Sequence, residues 1–164
     1  MSPDLSLSVQ YATQAPDLPR WRLRRWVRHA VSGVAEAEAA AGMPGRFHAA
    51  ALTLRLVGTD EGRRLNHEFR HKDYATNVLT FEYGVDPGGV ASGDIVLCLP
   101  VLHQEAAEQR KAVLDHAAHL TVHGVLHALG YDHIDPDQAA SMESLEVVIL
   151  QKMGIADPYL AVGG

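Results

Sequence analysis

Cysteine is almost absent: Cys98 is the only one in 164 residues. A lone thiol rules out an internal disulfide and a cysteine-built zinc ribbon, and it fits a reducing compartment with Cys98 as a core side chain. No window approaches the ~18 uninterrupted apolar residues of a membrane span. The opening MSPDLSLSVQYA has neither the basic start nor the apolar stretch of a signal peptide. The expectation is a cytoplasmic chain. Internal repeats, low-complexity tracts and dividing linkers are also missing, which points to one domain over residues 1–164. Positive charge is short, with 14 Lys and Arg against 20 Asp and Glu, so a polyanion binder held by net charge is excluded. The deficit is uneven: residues 1–72 carry a net +4 and residues 73–164 a net −10.

What the chain does have is an ordinary core complement, 47% hydrophobic and 21% charged. At this length a domain buries roughly two-thirds of the surface its unfolded chain exposes, so disorder is excluded. Leu5, Leu7 and Val9 alternate with polar residues as in a strand with one buried face. Pro19 at a first helical position and Gly42 beyond the end frame a helix with Leu23, Trp26, Val27, Ala30, Val31 and Val34 on one side. Arg22, Arg24, Arg25 and Arg28 on its other side read as a solvated face, with a phosphate contact as the alternative.

Leu52, Leu54 and Leu56 predict a second strand ending at Gly58, and Thr59 an N-cap for a short helix with Leu65 and Phe69 on one face. Asn77 to Tyr83 and Asp94 to Leu99 read as an antiparallel pair of strands around the turn chemistry of Asp86-Pro87-Gly88-Gly89. A helical pattern follows Pro100, breaks near Lys111, and resumes from about Leu114 to Leu129, with Gly130 as a left-handed C-cap. Asp135, Pro136 and Gln138 open a last helix whose buried stripe is Met142, Leu145, Ile149 and Met153. The architecture is α+β, with four strands and about five helices.

The chain holds ten histidines, five of them between His116 and His133. His123 and His127, four apart on a helix, share a face and can converge on one ion. His119, His123 and His127 in a row cannot, because the ends of that row lie ~12 Å apart at ~1.5 Å per residue. Gly130 lets the chain reverse, so His133 can swing back over the first two. His123, His127 and His133 are therefore the expected ligand set, with a fourth position left open as in catalytic zinc sites. His116 and His119 are left as core histidines or as supports behind the ligands. A zinc protease of the H-E-x-x-H type would place its general-base glutamate at position 124, which is Gly124. A glycine inside a helix points to something passing close to the backbone: substrate beside the metal, or a closely packed neighbour.

AHLTVHGVLHALGYDH resembles the signature of the YbeY family of bacterial metal-dependent endoribonucleases. LNHEFRHKDYATNVLTFEYG, from Leu65 to Gly84, and SGDIVLC, from Ser92 to Cys98, resemble two further blocks of that family, and the likeness runs over about residues 50–160. The resemblance implies a mixed sheet packed with helices and a three-histidine site for one ion, usually zinc, at the end of a central helix. It also implies an arginine in the cleft, here Arg70. The implied activity is cleavage of single-stranded RNA in ribosomal RNA maturation, at the 3′ end of the small-subunit rRNA, and in ribosome quality control. The implied partners are the small ribosomal subunit, one of its proteins, and the GTPase Era. Ala75 stands where the family often has proline before TNVL, which removes a fixed φ from that loop.

The residues support such chemistry. Phosphodiester cleavage builds negative charge on non-bridging oxygens, and a guanidinium answers it with a fixed fork of donors. Arg70 and His123 are thus the candidate catalytic residues, and Arg70 and Lys72 the candidate substrate contacts, Lys72 adding positive potential. The alternative for Arg70 is a helix-end arginine favoured by the helix dipole. Asn77 and Thr80 are given no chemistry, and no carboxylate is placed as a base. Two rival functions remain from the sequence: a non-catalytic zinc-binding ribosome-assembly factor, and a zincin-like metalloprotease.

Overall fold

The computed structural model describes residues 2–43, 45–132 and 134–160. The elements run in the order β1 (Asp4–Tyr11), α1 (Arg20–Ala40), β2 (Ala49–Val57), α2 (Thr59–Arg70), β3 (Val78–Val85), β4 (Val90–Cys98), α3 (Leu99–Glu108), α4 (Val113–Ala128) and α5 (Pro136–Lys152). The four strands form one sheet in the order β1-β2-β4-β3. β1 is parallel to β2 and β2 to β4, while β3 runs antiparallel to β4 along one edge, so the sheet is mixed.

Most terminal signals act where the sequence places them. Asp135 accepts a hydrogen bond from the Gln138 amide at 2.8 Å and starts α5. Gly130 has φ +102, a left-handed conformation in which a side chain is strained, and the chain turns there after α4. Two signals shift by one residue. Pro19 is the N-cap of α1 in extended conformation, and Gly58, not Thr59, is the N-cap of α2. β2 also starts earlier than its leucines suggest, at Ala49, because the alanines pair with β1 on one side and β4 on the other.

The main core lies on one face of the sheet, where Leu52, Leu54, Leu56, Ile95 and Leu97 meet the apolar faces of α1, α4 and α5. A smaller cluster on the opposite face joins Val57, Leu79, Val96 and Cys98 to Leu65, Phe81 and Val101. The arginine face of α1 is not simply solvated. Arg20, Arg24 and Arg28 donate to the carbonyls of Val9, Leu5 and Pro3, so successive turns of the helix satisfy acceptors along the outer edge of β1. Arg22 donates to the Asp17 carbonyl ahead of the helix. Covering an edge in this way also blocks strand addition from another chain.

Candidate functional site

The site is built on α4, and two glycines decide how deep that helix sits. A Cβ on Gly124 would fall 2.6 Å from Ile95 Cγ2, and a Cβ on Gly93 of β4 would fall 2.8 Å from Ala128 Cβ. Both distances are shorter than real Cβ contacts, so glycine at each position lets helix and strand approach. What passes close to the Gly124 backbone is therefore the sheet: Gly124 is buried against Ile95 and Val78, and the substrate-access reading of this glycine is corrected to close packing.

With that face of α4 pressed on the sheet, His123 and His127 emerge together on the side toward β3. Their rings lie 4.6 Å apart between centroids at an interplanar angle of 76°. A cleft of about 350 Å³ opens there, lined by both histidines together with Arg70, Thr76, Asn77, Val78, Thr80, Glu82, Gly130, Tyr131 and Asp132. Val78, Thr80 and Glu82 are alternate residues of β3, so one face of that strand forms a wall of the cleft while Leu79 and Phe81 belong to the opposite cluster.

Arg70 is the last residue of α2, and the helix ends because His71 adopts φ 60, ψ 32. The following loop is pinned: Asn66, itself buried, donates to the Tyr74 carbonyl at 2.7 Å, and Arg63 bridges Asp73 at 2.8 Å. These bonds restrain the segment in which Ala75 lacks the rigidity of proline. Lys72 is exposed beyond the helix end, and the cleft lining does not include it. Of the expected site residues, the structure brings Arg70, His123 and His127 together, leaves Lys72 outside the cleft, and does not describe His133.

The remaining histidines of α4 face other partners. His116 Nε2 meets Glu105 Oε1 at 3.0 Å, and Asn77 Nδ2 donates to the same carboxylate at 3.0 Å, linking the cleft wall to α3. His119 Nε2 meets the Tyr159 hydroxyl at 3.2 Å. His123 turns its Nδ1 to Glu146 Oε1 at 2.5 Å. Glu146, on α5, is 0% exposed, and its Oε2 accepts from the Tyr159 hydroxyl. Burial pushes the Glu146 carboxyl up, but contacts with His119, His123 and Tyr159 outweigh it and hold the group down at about 2. Burial and the adjacent Glu146 carboxylate push the Tyr159 phenol well above its ordinary value.

This donor set fits a transition-metal ion. An imidazole whose Nδ1–H is held by a buried carboxylate keeps its Nε2 lone pair outward and fixed in direction, the arrangement that supports metal-bound histidines. His127, one turn on, brings a second imidazole to the same cleft. Among the described residues no group of three His, Cys, Asp or Glu stands close enough to hold an ion, and His133 lies outside them.

Sequence reasoning missed Glu146, Tyr159, Glu82 and Asp132. Glu146 had a signal: it follows Leu145 and precedes Ile149 by three, inside a stripe that is otherwise apolar. A charged side chain there needs partners before it can be buried.

Comparison with known proteins gives the chain a family. The family model described as Endoribonuclease YbeY matches residues 8–154. A protein named Endoribonuclease YbeY from Bordetella parapertussis is 66% identical over 161 residues, covering 98% of this chain and 99% of that protein. One of the same name from Acidovorax sp. is 50% identical, covering 96% of this chain and 97% of its own length. The solution structure of TM1509 from Thermotoga maritima superposes with a TM-score of 0.53 at 19% identity, covering 94% of this chain and 99% of that one, a likeness of fold. A match that spans nearly the whole chain at these identities means that it belongs to the Endoribonuclease YbeY family.

Proposed function

We infer that the protein is an endoribonuclease that cleaves single-stranded RNA in the cleft between α4 and the α2–β3 side. The observation that carries this reading is the convergence of Arg70 with His123 and His127 on one cavity from separate parts of the fold. Arg70 binds the non-bridging oxygens of the scissile phosphate, and its guanidinium opposes the charge that grows as the phosphorus becomes pentacoordinate. Thr80 lines the same wall and orients the strand by hydrogen bonding, while the Asn77 amide is held by Glu105 and the Val78 N–H. Glu82 and Asp132 place carboxylates in the cleft, and the proton leaving the attacking oxygen passes to one of them.

We assign His123, His127 and His133 as the ligands of one Zn²⁺. When bound, that ion supplies Lewis-acid stabilisation of phosphoryl charge and a lowered pKa for water. A zincin-like protease is disfavoured by packing as well as by chemistry: the glutamate it needs at position 124 would meet Ile95. The substrate we propose is ribosomal RNA, at the 3′ end of the small-subunit rRNA. The small subunit, one of its proteins or the GTPase Era supplies specificity in the cytoplasm. The net −10 of residues 73–164 makes binding to free RNA weak and sensitive to salt.

Purified Arg70→Ala and His127→Ala proteins test the reading on a single-stranded RNA. Each is expected to lose on the order of 10²-fold or more in cleavage rate with unchanged circular dichroism. If both cut as well as the parent, the enzyme reading fails and a non-catalytic assembly factor takes its place. Product ends identify the nucleophile: a 2′,3′-cyclic phosphate for the RNA hydroxyl, a 3′-hydroxyl for water. Elemental analysis is expected to find one zinc per chain, lost on substituting His133.

A further inference from the structure

The C-terminal segment after α5 reaches back to α4, and nothing in the nuclease reading accounts for it. Lys111 Nζ donates to the Pro158 carbonyl at 2.9 Å and ties the segment down, and the next residue, Tyr159, lays its ring 5.3 Å from that of His119 at 84°. Its hydroxyl ends on Glu146. Glu146 has no exposed surface, so its two oxygens depend wholly on protein donors: Oε1 on His123 Nδ1 at 2.5 Å, and Oε2 on the Tyr159 hydroxyl, with His119 Nε2 at 3.6 Å. Tyr159 lies beyond residue 154, where the family match ends.

We propose that Tyr159 and Glu146 are positioning residues for His123, acting as a clamp from the C-terminal segment that fixes which ring nitrogen of His123 is offered to the cleft. The chain of contacts has a direction. The phenol has one proton to donate and gives it to Oε2, which orients the carboxylate. Oε1 then takes the Nδ1–H of His123, and the tautomer with Nε2 as lone-pair donor is the one stabilised. Removing the phenol oxygen leaves Oε2 facing only the longer contact to His119. The carboxylate can then rotate, and the ring it holds loses a fixed orientation.

This inference rests on the reading of His123 as a metal ligand, and the test separates the two. Zn²⁺ affinity is measured by competition with a chromophoric chelator for the full-length wild type, Tyr159→Phe, Glu146→Gln and the control Tyr83→Phe, which removes a phenol bound to Asp94 away from the site. Losses on the scale of supporting-residue mutations are expected: about 10-fold for Tyr159→Phe and up to about 100-fold for Glu146→Gln, with Tyr83→Phe unchanged. Nitrogen-15 spectra of the metal-free proteins are expected to show His123 as the Nδ1–H tautomer in the wild type and as a mixture in Glu146→Gln. Melting temperatures of the metal-free proteins guard against a structural effect, since Tyr159 is 44% exposed and phenylalanine keeps its ring. Wild-type protein that binds no zinc would remove the metal reading itself. Wild type that binds zinc while Tyr159→Phe binds equally well, with the same His123 tautomer in both and in Glu146→Gln, would overturn the clamp alone.

Discussion

Replacing Gly124 with alanine sets two known effects against each other. In an exposed helix, Gly→Ala adds about 1 kcal/mol through backbone entropy. In this helix the new methyl would stand 2.6 Å from Ile95 Cγ2 and 3.4 Å from Val78 Cγ2, with Ile95 completely buried and unable to swing into solvent. Overpacking of that kind costs about 1–3 kcal/mol. The clash offsets the entropic gain, and the expected net effect is a loss of up to about 2 kcal/mol, or up to roughly 8 °C in melting temperature for a chain of this size.

The same change in an Ile95→Ala background loses the Ile95 clash, keeps only the 3.4 Å contact with Val78, and is expected to stabilise by about 0.5–1 kcal/mol relative to that background. Urea denaturation of the four proteins, with the slope required to stay constant, measures both steps. In the single variant α4 also rides up from the sheet by some tenths of an ångström and carries His123 and His127 with it, so cleavage falls severalfold at temperatures where the protein is fully folded. A Gly124→Ala protein more stable than its parent, or an equal effect in the two backgrounds, would refute the packing argument.

Other perturbations follow from individual contacts. Arg46 donates to Leu129 O at the end of α4 at 2.7 Å and pairs with buried Glu38 of α1 at 2.7 Å, so Arg46→Ala strips a helix end and strands a carboxylate. A loss of about 1–3 kcal/mol by urea titration is expected. His71 closes α2 at φ 60, and His71→Gly relieves that strain, raising stability by up to about 1 kcal/mol; a drop would show that the imidazole makes a contact worth more than the strain. Burial pushes the Cys98 thiol up. Alkylation of the folded protein at pH 8 is therefore expected to be far slower than in denaturant and to rise only as pH passes the ordinary thiol range. Equal rates in the two states would place Cys98 at the surface.

Legibility in the sequence followed the range of the interaction. The course of α4, its closure at Gly130 and the cap at Asp135 rest on neighbours within a few residues, and periodicity with end signals located them. So did the antiparallel hairpin of β3 and β4 around its Pro-Gly-Gly turn. The parallel order β1-β2-β4 depends on contacts between distant segments, and local patterning carries no trace of it. The alanines at 49–51 illustrate the limit. Their intrinsic preference is helical, and pairing on both sides overrides it.

In the site, spacing alone brought out His123 and His127, because a helix converts a four-residue interval into proximity. Arg70 needed the family likeness, since nothing local ties the end of α2 to α4. Lys72, two residues from Arg70, showed that closeness in the chain does not survive the left-handed turn at His71. Glu146 stayed hidden because its partners come from another helix and from the segment beyond α5.

The two walls of the cleft differ in how far they can adapt. The histidine wall is wedged against the sheet by glycines that leave no slack, so a ligand in the cleft cannot reshape it without disturbing the core. The arginine wall ends a short helix held by a few polar bonds near the surface. On the proposed function, adjustment to different RNA sequences therefore belongs to the stretch from Arg70 to Thr76, ahead of the paired strand β3. The histidine face of α4 stays constant.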